Sequence, residues 1–416
     1  MRSLLSLVAV FVVVCAAMLS QTPAAYATSI AVDTTDDGLV TDGRCSLRDA
    51  IQAVNAPGTV ADCAAGSGND TITLSSGFYQ LRIAGANEDN NATGDLDVFP
   101  TTSPVTRTLT IRGSGATTTI VDGNQLDRVF HLVGQNDRLV LRDLTVRNGR
   151  LPSSSFHGGA GVLSWGRVEL YNVIVENNTT SGTSAGDVGG GLCLGCGLGT
   201  GSGYLENVII HTNTAQRGGG VFSNRPLTIT ASSIISNTAA VAGGAIVNYD
   251  ALALTNVTVS NNIAGNNTGG ILHVGSSLSV LNSTISHNTG AGIHFKVEAT
   301  IKNTIIAGNS PGGNCFILAA PTSQGHNLSS DASCASAFTA SGDLNNVDPQ
   351  LGPLQQNGGP TPTRALPLTS PAVNAGTNSG CPATDQRGIA RPQAGTCDIG
   401  AYELVVQRVF VPIVSK

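Results

Sequence analysis

Gly219-Gly-Val-Phe-Ser-Asn-Arg-Pro-Leu-Thr-Ile-Thr-Ala-Ser-Ser-Ile-Ile-Ser-Asn237 carries the pattern that decides the fold. A glycine pair opens it, apolar residues alternate at Leu227 and Ile229, and Ile234 and Asn237 close it. Period-two alternation is the mark of a strand with one buried face. With Ile234 as an anchor, the frame recurs around Val146, Val175, Ile210, Val259, Ile285 and Ile306. Five positions before each anchor stands an aliphatic residue: Leu141, Leu170, Leu205, Ile229, Leu254, Val280 and Ile301.

Polar residues keep the same time. Three positions before the anchors come Asp143, Asn172, Asn207, Ala231, Asn256, Asn282 and Asn303. Three positions after them come Gly149, Asn178, Asn213, Asn237, Asn262, Asn288 and Asn309. Asparagine tolerates left-handed backbone angles, and its amide can bond to the equivalent amide one repeat away, so both columns read as corners bearing ladders. Glycine pairs at 158–159, 190–191, 219–220, 243–244 and 269–270 precede most anchors by about fifteen residues. Each unit supplies three short strands, and anchor spacings of 21 to 35 residues describe the coils of a parallel β-helix. A sandwich would need recurring hairpin turns, and a leucine-rich repeat would need helical segments; neither is present in the pattern. The fold class is therefore all-β, a solenoid whose ends must be covered. Ser46-Leu-Arg-Asp49 reads as a capping box, and Leu47, Ala50, Ile51 and Val54 give the following helix one apolar stripe, a lid for the front.

The chain opens with Met1-Arg2-Ser3, an apolar run from Leu4 to Met18, and Ala25-Tyr26-Ala27, the small-x-small pattern of a signal-peptidase site. Cleavage near Ala27 implies a secreted or cell-surface protein. No later stretch is long and apolar enough to span a bilayer. Eight of nine cysteines survive cleavage, and an even number in an exported chain argues for disulfides. Their spacing suggests Cys45 with Cys63, Cys193 with Cys196, Cys315 with Cys334 and Cys381 with Cys397. A net charge of −6 leaves no basic footprint for nucleic acid.

Cys45-Ser-Leu-Arg-Asp-Ala-Ile51, after Val32-Asp-Thr-Thr-Asp-Asp-Gly38, resembles the CSLREA domain of exported bacterial repeat proteins, with Asp49 where that domain usually has Glu. The Gly-Gly-apolar units resemble right-handed β-helix repeats of the polymorphic outer membrane protein and pectate-lyase-like superfamily. Asp348-Pro-Gln-Leu351, Gly358-Gly-Pro-Thr-Pro-Thr363, Thr384-Asp-Gln-Arg-Gly388, Arg391-Pro392 and Cys397-Asp-Ile-Gly-Ala401 resemble the choice-of-anchor Q domain. The resulting division is a signal peptide over 1–27, a cap region over 28–100, coils over 101–312, the anchor-like domain over 313–403 and a tail over 404–416. Leu404 to Lys416 reads equally as a sorting tail or as a last edge strand. The resemblance implies architecture and export, with no defined reaction.

Enzymes of this shape cleave acidic polysaccharides with clustered carboxylates. Between residues 151 and 310 the acids are Glu169, Glu176, Asp187, Glu206, Asp250 and Glu298, and no two share a column of adjacent repeats. No catalytic set is assigned. One outward column, Arg147, Glu176 and His211, follows the anchors directly and is the candidate surface-binding site, against a plainer reading as a cross-strand ion pair. Structural calcium is conceivable at Asp33, Asp36 and Asp37, or along Asn87 to Asn91 with Asp95 and Asp97, although Asx turns explain both runs and no other cofactor is implied. His157, His273, His287 and His294 show no ligand spacing. The leading expectation is a binding or adhesion protein for carbohydrate or surface polymers. The alternative is a polysaccharide lyase or hydrolase whose acids come from Glu88, Asp89, Asp95 and Asp97.

Overall fold

In the computed structural model, residues 28–405 are described, apart from 40, 57–61, 87, 102, 104, 153–157, 185, 198 and 266–267. The leader expected over 1–27, Asn87, His157 and residues 406–416 of the tail lie outside the described residues.

Among the described residues the strands form three parallel ladders, of 20, 9 and 5 strands, and one antiparallel pair, Leu354–Gln355 with Thr363–Arg364. The chain is a parallel β-helix, and the repeat frame is its register. Leu141, Leu170, Leu205, Ile229, Leu254, Val280 and Ile301 pair in succession. So do the anchors from Val146 to Ile306, each no more than 1% exposed. Stacked like on like, these aliphatic side chains make one continuous core. The ladder begins ahead of residue 101: Ser29–Ala31 pairs with Asn69–Thr73, which pairs with Thr108–Arg112.

The two asparagine columns share the ladder unequally: the one before the anchors bonds from coil to coil at Asn172 to Asp143, 3.0 Å, and at Asn303 to Asn282, 3.2 Å, while the one after them does so along its length. In the column before the anchors, Asp143, Asn172, Asn207, Ala231, Asn256, Asn282 and Asn303 all adopt φ between 44° and 56°, bending the chain between its first two strands. In the column after the anchors, the left-handed residue is instead the one preceding the asparagine: Asn148, Asn177, Thr212, Ser236, Asn261, His287 and Gly308. Asn178, Asn213, Asn237, Asn262, Asn288 and Asn309 are buried, and each passes its side-chain amide to the next at 2.8 to 3.0 Å. Each Oδ1 from Asn213 onward also accepts the backbone N–H of the asparagine one coil back. The glycine pairs answer a packing demand: a Cβ on Gly219 would stand 2.5 Å from the Thr238 carbonyl oxygen.

A single α-helix among the described residues, Leu47–Asn55 (α1), covers the front. Ser46 accepts the Asp49 N–H and Asp49 returns the bond to the Ser46 N–H, the expected capping box, while Leu47, Ala50, Ile51 and Val54 join the core. Burial outweighs these bonds at Asp49 and pushes its carboxyl up. All four expected disulfides are present.

The C-terminal segment returns along the outer face of the second strand. Ser233 Oγ donates to Pro362 O at 2.6 Å, Thr258 Oγ1 to Gln386 Oε1 at 2.6 Å, and Arg364 Nε to Ser260 Oγ at 3.0 Å. Leu366, Ala372 and Ile399 pack on Ile305 and Leu328. These contacts fall on the coils from Ser233 onward; on the earlier coils the same face is partly exposed at Arg147, Glu176 and His211, while Thr145 is buried against the Ala116 carbonyl.

Candidate functional site

The column Arg147, Glu176 and His211 lies on that partly exposed stretch. Its residues are paired by register, since Glu176 stands between Arg147 and His211 on adjacent strands. His211 Nε2 is 2.9 Å from Glu176 Oε2, Arg147 Nη1 is 3.7 Å from Glu176 Oε1, and Arg147 Nε is 2.8 Å from Asp122 Oδ2. The hydrogen bond to His211 is the main influence holding the Glu176 carboxyl below its usual range. Phe78, itself exposed, lies under the Arg147 guanidinium at 5.3 Å.

Across the left-handed bend, the outer face of the first strand carries a second group that the sequence reading did not single out. Arg112, Arg142 and Tyr171 are successive partners in one column, and Arg138 and Arg167 in another. The Arg142 guanidinium lies 3.8 Å over the Tyr171 ring, and Tyr171 leans toward Tyr204 at 5.6 Å. Glu169 ties the group together, bonded by Arg138, by Arg167 Nε at 2.7 Å and by the Tyr171 hydroxyl at 2.9 Å. Burial weighs most on the Glu169 carboxyl and would raise it, but these donors overcome it and hold the carboxyl down. Burial, and then the Glu206 carboxylate, push the Tyr204 hydroxyl up to about 12. The signal was available in the frame: these residues occupy the outward positions between the aliphatic ones.

A third group is buried under the segment around residues 88–95. On the nine-stranded ladder Asp97 pairs with His131, both facing away from the core that Leu96, Val98, Phe130 and Leu132 enter. His131 Nδ1 lies 3.2 Å from Asp97 Oδ1 and 3.2 Å from Asp89 Oδ1, and its ring meets the Trp165 indole edge-on at 4.6 Å. Arg128 Nη1 is 3.2 Å from Asp95 Oδ2. Burial, reinforced by the Asp97 charge, pushes the Asp95 carboxyl up to about 8. Burial likewise raises Asp97. For His131, burial works to lower the pKa, but the Asp89 and Asp97 carboxylates outweigh it and raise it.

The acids of the first candidate calcium run are engaged separately. Asp33 accepts the Cys45 N–H at 3.0 Å, Asp36 is 3.4 Å from Arg82, and Asp37 is 2.7 Å from the fully buried Arg48. Arg48 also donates to the Gly94 and Asp95 carbonyls at 2.8 Å, pinning the overlying segment to α1. His273 is buried, and that burial draws its pKa down to about 4; the same cause brings His294 to about 4. His287 is also lowered by burial. Among the described residues no helix is long and apolar enough to cross a membrane.

The chain is similar in fold to the crystal structure of pectate lyase Pel9A, with 14% sequence identity and a TM-score of 0.47 over 90% of this chain and 96% of that one. No family model matches the chain. No curated protein matches it either. At that identity the likeness concerns the fold alone, and the enzyme's activity is said of that enzyme.

Proposed function

We propose that this chain is a secreted or cell-surface binding protein that holds an acidic carbohydrate polymer along the outer face of its early coils. The observation that carries this reading is the Arg112, Arg142 and Tyr171 column, flanked by Arg138 and Arg167. Guanidinium forks suit carboxylate or sulfate groups, and half-buried tyrosine rings offer apolar faces with a polar tip to a sugar ring. Strand ladders repeat at about 4.8 Å, so such a face presents its groups in rows suited to an extended chain. Arg147 and His211 extend the face across the bend. Binding to immobilised polygalacturonate and alginate, with a neutral glucan as comparison, tests the reading: retention by the acidic polymers alone is expected, and retention by none of them overturns it.

The cleavage reading draws on Glu88, Asp89, Asp95 and Asp97, the last two a carboxylate pair beside a histidine. Both are fully buried, so a polymer laid on the surface does not meet their carboxyls. The absence of turnover on uronate polymers, with or without calcium, is the expected result.

A further inference from the structure

We propose that His131, Asp97 and Asp89 form a binding site for a divalent transition ion of the zinc type. The inference is independent of the polymer-binding reading and concerns a different part of the molecule.

One donor atom from each of the three residues lies within 4.8 Å of the others. The two distances from His131 Nδ1, both 3.2 Å, match the edges of a small coordination polyhedron: ligands at about 2.1 Å in tetrahedral array stand roughly 3.4 Å apart. A hydrogen-bond account does not cover the same contacts. The imidazole has one Nδ1 position facing two carboxylate oxygens, and neither approach has hydrogen-bond geometry. The His131 side chain is 2% exposed and that of Asp97 is fully buried, yet both ring nitrogens and Asp97 Oδ1 lack a hydrogen-bond partner. Buried polar atoms are ordinarily satisfied, and each one that is not needs an explanation.

Asp95, Asp97 and Asp127 are buried together with Arg128 and His131 on this side of the coil, and buried carboxylates are found paired or coordinating a metal. The donor set selects the ion. Calcium and magnesium take oxygen ligands, whereas imidazole suits zinc, nickel or copper. The structure therefore points away from calcium at this end of the acidic run and toward a nitrogen-preferring ion. Asp89, with its side chain 53% exposed, stands on the solvent side and gives the ion a way in. Held there, the ion would tie the overlying segment to two strands of the solenoid wall.

The test uses the full mature protein without a histidine tag, stripped with chelator and titrated with zinc chloride by calorimetry, with metal content read after gel filtration. One zinc per chain is expected, with a rise in the thermal midpoint. Asp89→Ala, at an exposed position, should fold normally and weaken zinc binding at least about tenfold, since even residues that only support ligands cost that much. His131→Gln should abolish it; if that variant does not fold, Asp89→Ala still decides. Zinc binding unchanged in Asp89→Ala, no zinc binding by the folded wild type, or calcium bound in preference to zinc overturns the assignment.

Discussion

Asn237 Nδ2 donates to Asn262 Oδ1 at 3.0 Å, while Asn237 Oδ1 accepts from Asn213 Nδ2 at the same distance. This relationship repeats down the wall of the solenoid, and it makes adjacent positions respond oppositely to substitution. Asn237→Ala removes the acceptor of the Asn213 N–H and the donor to the Ile210 carbonyl, stranding several buried groups at about 1–3 kcal/mol each. A loss of roughly 3 kcal/mol or more in chemical denaturation is expected. Ser236→Gly, one residue earlier at φ 54°, should be neutral or stabilising by up to about 1 kcal/mol, because glycine holds that angle without a Cβ penalty.

Arg48 joins α1 to the segment above it. Removing its guanidinium takes a donor from Asp37 Oδ1 and from the Gly94 and Asp95 carbonyls, while Asp37 Oδ2 keeps the Arg82 and Ile83 N–H groups, and breaking a buried pair costs about 3–5 kcal/mol. Arg48→Met should lower the denaturant midpoint accordingly. Arg48→Lys should recover less than half, because an ammonium does not reproduce the fork that reaches Asp37 and the Asp95 carbonyl together.

His273 makes stability depend on pH in a stated window. Its folded pKa of about 4 lies below the ordinary value near 6.5, so the unfolded chain takes up the proton first. The contribution is fully present above about 6.5 and is lost as pH falls toward 4, at up to about 1.4 kcal/mol per pH unit. Urea denaturation at pH 7.5 and pH 5 should show the drop, and His273→Phe, which repeats the aromatic side chain of its ladder partner Phe295, should reduce it.

The Glu176 to His211 contact should matter less. Its groups are partly exposed, and pairs of this kind are worth about 0–1 kcal/mol. With its folded pKa depressed, Glu176 contributes above its unfolded value and loses that contribution as pH falls through the carboxylate range. Glu176→Gln should change stability at pH 7 by less than about 1 kcal/mol in denaturant titrations.

The solenoid was legible because each coil repeats one burial pattern, so Leu141 to Ile301 and Val146 to Ile306 align by letter. The asparagine corners were only half legible. Asn262 and Asn256 share a letter but do different work, and the left-handed position before the ladder is held by Asn, Thr, Ser, His or Gly, which leaves no letter to find. Column logic placed Arg147, Glu176 and His211 side by side because it needs only register. It did not reach the cluster of Asp89, Asp97 and His131, which joins a non-repeating loop to two strands 34 residues apart, nor the buried Arg48. These sites depend on how an irregular segment folds back, and periodicity carries no information about that.

The account's central claim is that the arginine and tyrosine face of the early coils binds an acidic polymer. The direct measurement compares wild type, Arg112→Ala/Arg142→Ala and, just past the Ile293–Phe295 strand of the nine-stranded ladder, Lys296→Ala on immobilised polygalacturonate at low salt. Wild type and Lys296→Ala should bind alike and elute with rising salt. The double variant should weaken by about tenfold or more, the worth of one charge-assisted contact near 1.5 kcal/mol. Equal binding by all three, or none by wild type, would contradict the claim.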